Sequence, residues 1–286
     1  VTVDAVIHFL GTVCWILSWL PGLRKVINTS NQQPGDMNVE KLRTDWCIFE
    51  LNDSAALEQL NNLKIMMNSE VAGKFDEIVN GFSSLQIKLY SAIRFDTKAR
   101  CIYHISKIFN TADAWSTDVA SIELDEHISS LITELKTIEN KIRQQLSEDS
   151  TDKVFTGIDS IVDWTFINGM DSIPVMNGNG VKRMLKNIKV IQNACQNFVS
   201  ETSMIDMSQI LKLYSLCGST ESDLFQQIQE GNLNHCSKDI LKTVLRLQFS
   251  EELQRQIRRT SGSSRRVNSM PLNKRYNDAL KRLGAP

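Results

Sequence analysis

The stretch Ile167-Asn-Gly-Met-Asp-Ser-Ile-Pro-Val-Met-Asn-Gly-Asn-Gly180 is a break rich in Gly and Asn, and it leads directly into a helical pattern. The helical stretch begins Val181-Lys-Arg-Met-Leu-Lys-Asn-Ile-Lys and continues to Val199. Its apolar residues recur in steps of three and four, which is the period of one face of an α-helix. The apolar residues are Val181, Met184, Leu185, Ile188, Ile191, Cys195, Phe198 and Val199. Lys182, Arg183, Lys186, Asn187 and Lys189 occupy the other face. The pattern predicts one helix packed against others, with no catalytic residue.

The turn Gly178-Asn179-Gly180 before this helix invites comparison with a phosphate-binding loop. It lacks the GxxxxGK[ST] pattern, and no strand precedes it. We therefore predict that these three residues form a flexible start to the helix.

Helical periodicity extends along nearly the whole chain, and no run alternates as a strand would. Helices are predicted over residues 3–20 (with a continuation past Pro21 to 27 left open), 39–67, 71–110, 124–146, 152–168, 181–200, 204–217, 221–230, 238–259 and 271–283. Ser237 is placed to cap the helix that follows it, and Gly218 to end the helix before it. Ser219 or Thr220 is placed to cap the next helix.

The most regular amphipathic pattern lies between residues 124 and 146 and is close to a coiled-coil seam. Its apolar residues are Ile128, Leu131, Leu135, Ile138, Ile142 and Leu146. Full burial of each such side chain stabilises the fold by about 1.5–3 kcal/mol. Glu139 and Arg143 can pair across one turn of the same helix, but such a pair contributes only about 0.3–0.5 kcal/mol. The seam therefore predicts a helix-packing surface.

The chain of 286 residues is 42% apolar and 23% charged, which allows a substantial core and excludes a disordered chain. Its net charge of −1 conceals an asymmetry, because residues 253–286 carry +8 and residues 1–252 therefore carry −9. The basic residues of this tail are Arg255, Arg258, Arg259, Arg265, Arg266, Lys274, Arg275, Lys281 and Arg282. Such a tail can contact an acidic protein, an anionic membrane or RNA, or can simply be the polar face of a terminal helix.

Six cysteines occur without any CxxC pair, which predicts reduced core thiols in a cytosolic protein.

The apolar segment 5–20 is shorter than the roughly 20 residues of a membrane span and lacks a basic flank, so we predict a buried helix stopped by Pro21-Gly22. The four histidines do not have metal-ligand spacing, and no metal or cofactor is predicted. Glu123, Asp125 and Glu126 indicate an acidic helix start, and the five dispersed tryptophans do not suggest a base-stacking platform.

Several segments together resemble a known family. Ile167-Asn168-Gly169, Gly180-Val181-Lys182-Arg183-Met184 and Asn187-Ile188 are similar to a segment near the C-terminus of the Sec-eight subunit of the exocyst, exocyst component four. Ala99-Arg100-Cys101-Ile102-Tyr103 looks like the Arg-Cys-Phe-Tyr helix of that family. The resemblance covers about residues 90–199, and its specificity comes from the order and spacing of several short matches. Residues 1–38 and the Ser/Arg linker do not match the family pattern.

The resemblance implies an all-α fold, an elongated stack of short antiparallel helical bundles of the rod type found in tethering complexes. It implies a non-enzymatic scaffold that helps to tether secretory vesicles to the plasma membrane before SNARE-mediated fusion. The implied partners are other exocyst subunits, with the Sec-six subunit closest, and small GTPases or SNARE proteins through the complex. The implied location is the cytoplasm, with peripheral recruitment to the plasma membrane and no transmembrane segment.

We expect four regions: an apolar helix and loop at 1–38, a helical bundle at 39–147, a C-terminal bundle at 148–259, and a basic linker with a short terminal helix at 260–286. Alternative functions are a subunit of another helical tethering complex and an RNA-binding protein that uses the basic tail. A helical enzyme would need converging polar residues, which the sequence does not show. A membrane protein anchored by residues 5–20 would resist carbonate extraction.

Overall fold

The computed structural model describes residues 2–29, 69–110, 115–116, 124–147, 149–200, 203–261 and 270–284. Within these ranges every regular element is helical and no strand occurs, so the predicted all-α class is confirmed there. The helices are α1 (Val3–Thr29), α2 (Ser69–Ile108), α3 (Glu126–Gln145), α4 (Asp149–Phe155), α5 (Ile158–Gly169), α6 (Gly178–Gln196), α7 (Ser208–Cys217), α8 (Glu221–Gln229), α9 (Lys238–Ser261) and α10 (Met270–Gly284). A short 3₁₀ turn, Met170–Ser172, follows α5. The helix predicted over 39–67 lies outside the described residues.

The chain divides into two compact units, Val1–Ile93 and Arg94–Pro286, and the boundary falls within α2. In the first unit, Arg24 pairs with Asp76 at 2.7 Å, and the Gln86 amide lies 3.1 Å from the Cys14 sulfur. The residue contacted on α2 has a higher residue number where the residue on α1 has a lower one, so the two helices run antiparallel.

Helix α1 differs from its prediction in two ways. It does not stop at Pro21-Gly22 but continues to Thr29 with Pro21 inside it. It is also not a buried helix, because Ile7, Leu10 and Val13 are buried whereas much of its remaining surface is open. Pro21 removes one backbone donor, but it leaves the helix intact here.

The second unit contains the helices that bury the large aromatic core. Phe109 lies edge-on to Phe166 at 6.0 Å, and Phe166 lies edge-on to Tyr214 at 6.2 Å. The Tyr214 hydroxyl donates a hydrogen bond to the Phe166 carbonyl at 3.0 Å. This contact satisfies the phenol in an interior where an unpaired hydroxyl would be costly.

The single helix predicted over 152–168 is wrong, because Gly157 separates α4 from α5. Gly157 has φ 76°, a left-handed conformation that glycine adopts without steric cost. The helix predicted from 204 begins at Ser208, and that predicted over 181–200 spans Gly178–Gln196.

Two predicted caps are present. Thr220 forms a capping box with Asp223 at the start of α8, and the Ser237 hydroxyl accepts a hydrogen bond from the Ile240 amide at 3.3 Å. Gly218 ends α7 as predicted. At these three positions the helix ends lie where the local signals predicted them.

Candidate protein-interaction surfaces

The break between α5 and α6 contacts α9, and the predicted helix start Gly178-Asn179-Gly180 forms the first turn of α6. Arg246 donates to the Ile173 carbonyl at 2.7 Å and to the Met170 carbonyl at 3.0 Å. Ser250 accepts a hydrogen bond from the Met176 amide at 3.0 Å. Because these contacts satisfy backbone groups that helix formation leaves unpaired, the break is a fixed connection.

The first turn of α6 is built around the backbone of Trp115. The Asn177 amide donates to the Trp115 carbonyl at 2.9 Å, and the Asn177 side chain caps the helix by accepting from the Gly180 amide at 2.9 Å. A Cβ atom on Gly180 would lie 2.0 Å from the Trp115 carbonyl oxygen. Glycine is therefore needed at 180 for a steric reason.

Arg183, one turn further along α6, connects this site to α3. Its guanidinium binds the Asp125 carboxylate at 3.0 Å and lies 5.5 Å from the centre of the Trp115 ring. Asp125 is also the N-cap of α3, where it accepts a hydrogen bond from the His127 amide. Of the two acidic residues at the start of α3, Asp125 therefore has a structural role and is 7% exposed, whereas Glu126 is exposed to solvent.

Gly169, at the end of the Ile167-Asn168-Gly169 element, packs against the Phe109 ring. An added Cβ would lie 2.1 Å from a ring carbon of Phe109. Gly169, Gly180 and Arg183 are all among the residues that carry the family resemblance. In this structure they act in packing and orientation.

The predicted seam of α3 lies largely in the core. Ile128, Leu131, Leu135, Ile138 and Ile142 are buried, whereas Leu146 is half-buried and stands beyond the helix end. The pair of Glu139 and Arg143 is formed on the surface of this helix.

A polar cluster joins α3 to the second half of α2. Glu134 accepts hydrogen bonds from Arg100 at 2.5 Å and pairs with the buried His104 at 3.2 Å. Burial alone would raise the pKa of the Glu134 carboxyl, but the hydrogen bonds from Arg100 and His104 outweigh it and lower that pKa. The cluster orients the two helices without exposing a reactive group.

The basic tail divides into cations that face the protein and cations that face solvent. Arg275 and Arg282 approach the same carboxylate, Glu221 of α8, at 3.8 and 3.6 Å. The Arg282 guanidinium also lies 3.8 Å from the centre of the Phe225 ring. These two arginines link α10 to α8, and such contacts compete with any external partner.

The other predicted tail residues are placed differently. Arg255 pairs with Glu251 within α9, and Lys281 is exposed, 3.9 Å from Asp278. Lys274 is exposed. Arg258 and Arg259 belong to α9, but their side chains lie outside the described part of the chain, as do Arg265 and Arg266 entirely.

The outer side of α5 combines an exposed aromatic ring with acidic groups. Trp164 is 55% exposed. Asp159 and Asp163 belong to the same helix, and Asp206 lies beside it, since its amide donates to the Asp159 carboxylate at 3.4 Å. Burial, and then the charges of Asp159 and Asp206, raise the pKa of Asp163 to about 7. Within the described ranges, the Asp163 Oδ1 atom is buried and has no hydrogen-bond partner.

The outer side of α1 is also apolar. Phe9, Trp15 and Trp19 are 49%, 63% and 37% exposed. The segment Val3–Gly22 is long and apolar enough to cross a bilayer, and 17% of its 18-residue apolar stretch is buried. A core helix or a signal sequence meets the same length and composition criteria, so this one segment decides nothing about a membrane.

The described residues contain no group of three or more His, Cys, Asp or Glu side chains placed to hold a metal. Burial raises the pKa of Cys101 and of Cys217 to about 12, which suppresses the reactive thiolate. Cys14, Cys195 and Cys236 are likewise free thiols. Cys47 lies outside the described residues.

Sequence reasoning missed three residues that organise these surfaces: Trp115, Arg246 and Trp164. Trp115 follows a loop and belongs to no periodic pattern, and Arg246 looks like an ordinary exposed arginine on α9. Only Trp164 had a detectable signal, since it interrupts the apolar period of α5 between Asp163 and Thr165. Trp115 and Arg246 act through contacts to backbone carbonyls, and the pattern of side chains in a sequence does not indicate such contacts.

No protein-family model matches the chain. It is 16% identical over 186 residues to the human protein Exocyst complex component 4, an alignment that covers 65% of this chain and 19% of the relative. It is also 16% identical over 215 residues to the mouse protein of the same name, with 73% of this chain and 22% of that protein covered. The chain thus spans about a fifth of the length of these relatives. The similarity is distant, and it indicates a relationship to an exocyst subunit.

Proposed function

We propose that the protein is a non-enzymatic scaffold subunit of an exocyst-type complex and helps to tether secretory vesicles to the plasma membrane before SNARE-mediated fusion. The observation that carries the proposal is the distant similarity to Exocyst complex component 4 over 65% and 73% of the chain in the two alignments. The role of Gly169, Gly180 and Arg183 in packing is consistent with it.

In this proposal the protein works by geometry. Rigid helices present several binding surfaces at fixed spacing, and modest contacts made at once raise the overall affinity through effective concentration. The fixed connection between α5 and α6 supports such a role, because Arg246 and Ser250 restrain the backbone where a hinge would otherwise form.

The proposed partners are the other exocyst subunits, with the Sec-six subunit first, and small GTPases or SNARE proteins reached through the complex. The proposed location is the cytoplasm with peripheral recruitment to sites of secretion. RNA binding through the tail is less favoured, because Arg275 and Arg282 already contact Glu221.

The test is affinity capture of the tagged 286-residue chain from cells, followed by quantitative mass spectrometry. Enrichment of several exocyst components over a tagged all-α protein of similar size is the expected result. A matched variant, Lys136→Ala, changes an exposed side chain beside the α3 seam and should capture the same set. Capture of subunits of a different tethering complex, or of none, would overturn the proposal.

A further inference from the structure

We propose that the outer side of α5, centred on Trp164 and bordered by Asp159, Asp163 and Asp206, is a docking surface for a basic amphipathic helix of a partner protein. This surface is called the Trp164 surface below. It lies within the second unit and involves α5 and the segment that precedes α7.

The apolar centre of the surface is Trp164, whose ring is 55% exposed although its helix neighbours Thr165 and Phe166 are buried. Met204, on the segment that also carries Asp206, is 83% exposed. Tryptophan and methionine are enriched at protein interfaces, and a tryptophan at the centre of an interface often carries a large share of the binding free energy. An exposed tryptophan on α5 and an exposed methionine on the segment that contacts α5 through Asp206 therefore favour a protein contact.

The border of the surface specifies the charge of the partner. The Asp159 carboxylate accepts a hydrogen bond from the Ser160 amide at 2.8 Å, and the Asp206 carboxylate accepts one from the Ser208 amide at 2.9 Å. No Lys or Arg pairs with Asp159, Asp163 or Asp206 within the part of the chain that the structure describes. Three carboxylates close together repel one another, and a cationic side chain from outside would relieve that repulsion.

Asp163 adds a charge that a cation of the partner can stabilise. Its Oδ1 atom is buried without a hydrogen-bond partner in the described ranges, and a buried unpaired acceptor is destabilising. Its neighbours Asp159 and Asp206 can offer it no proton when they are ionised. An arginine or lysine of the partner over Trp164 would make a cation–π contact with the indole ring, and its charge would favour the ionised form of Asp163.

The test uses two synthetic 18-residue helical peptides with leucines at identical helical positions. One carries lysine and arginine on its polar face and the other carries glutamate. Fluorescence anisotropy of each labelled peptide is measured against the whole 286-residue chain. The basic peptide should bind and the acidic peptide should not, and raising the pH from 6 to 8 should tighten binding as Asp163 ionises beside Asp159 and Asp206.

Matched variants locate the binding. Trp164→Ala should weaken binding at least tenfold, whereas Trp15→Ala, which removes an exposed tryptophan from the first unit, should leave it within twofold. D159N/D206N should weaken binding at least fivefold, whereas E126Q/E252Q removes the same charge from exposed positions and should have little effect. Asp163→Asn should abolish the pH dependence.

The inference would be overturned by absence of binding, by equal binding of both peptides, or by equal effects of the test and control variants. Circular dichroism confirms that each variant is folded. Peptide binding is independent of exocyst capture, so either proposal can fail without the other.

Discussion

Gly180 and Trp115 stand so close that a Cβ atom at 180 would lie 2.0 Å from the Trp115 carbonyl oxygen. The same carbonyl accepts the Asn177 amide, so it cannot move away without losing that bond. The start of α6 is therefore fixed by a backbone contact between segments more than sixty positions apart in the chain.

Gly180→Ala should lower the free energy of unfolding by about 1–3 kcal/mol, because an overpacked interior shifts the backbone. Gly178→Ala, two residues earlier, is the matched control: nothing lies within 4 Å of its added Cβ. Alanine there should be neutral or stabilising by up to about 1 kcal/mol. Denaturant unfolding of both variants measures the difference, and equal effects would show that the contact is absent.

Arg246→Ala should destabilise the protein by about 2–4 kcal/mol, because the charge-assisted hydrogen bonds to the Met170 and Ile173 carbonyls are lost. These carbonyl groups are then left without the donor that satisfied them. Hydrogen exchange of residues 170–177 should accelerate. Arg255→Ala removes an exposed arginine that pairs with Glu251 one turn away, and it should cost less than about 1 kcal/mol. Unchanged exchange at 170–177 in Arg246→Ala would contradict the role assigned to Arg246.

Leu135→Asp should unfold the bundle around α3, because it places an unpaired charge where the side chain is 0% exposed. Leu135→Ala should cost about 2–5 kcal/mol. The adjacent Lys136→Ala points to solvent and should melt as the unaltered protein does. Thermal melting followed by circular dichroism compares the three, and unaltered melting of Leu135→Asp would place the seam in solvent.

Asp163→Asn should stabilise the protein above neutral pH. Because the folded pKa of about 7 exceeds the ordinary value of 3.8, the protonated carboxyl favours the folded state at low pH. That contribution is lost as the pH rises through 7. Each pKa unit corresponds to about 1.4 kcal/mol, and screening at this half-buried side chain reduces the expected total to about 1–2 kcal/mol.

Urea unfolding at pH 5 and pH 8 tests the Asp163 prediction. The unaltered protein should lose stability between the two values by more than Asp163→Asn does. Glu252→Gln, at an exposed position on α9, should retain the pH dependence. Parallel curves for the unaltered protein and Asp163→Asn would show that Asp163 ionises normally.

Arg282→Ala should loosen α10, since it removes both the Phe225 contact and one of the two arginines on Glu221. Hydrogen exchange in residues 270–284 should rise about threefold to tenfold, as expected when a helix held by few buried side chains opens more often. Lys281→Ala, its neighbour, is 81% exposed and should leave exchange unchanged. Similar protection in both variants would mean that α10 is held by its apolar face alone, through Ala279 and Leu283.

The sequence predicted the helices of the second unit well because their ends carry local signals. Thr220, Gly218 and Ser237 each act on amides or carbonyls within four residues, and such effects can be read from neighbouring letters. The α3 seam was predictable for the same reason, because the regular spacing of apolar residues within one helix marks the face that is buried. The break at Gly157 was missed because glycine inside a helical pattern does not reveal its φ angle.

The candidate surfaces were less predictable because they depend on contacts distant in sequence. The charge of the tail does not show that Arg275 and Arg282 contact Glu221, more than fifty residues away. The Trp164 surface needs Asp206 beside Asp159, a pairing across 47 residues that no single period encodes. Net charge and periodicity describe each helix alone, whereas a surface belongs to several helices.

The Arg246 contacts also impose an order on synthesis. Arg246 is 73 residues beyond Ile173, whose carbonyl it binds. At about 5–20 residues per second, a ribosome needs roughly 4–15 s to add that length of chain. Throughout that interval the connection after α5 has no partner for these carbonyls. The second unit therefore completes its fold only after α9 has left the ribosome, and a chain truncated before Arg246 would lack this restraint on the connection.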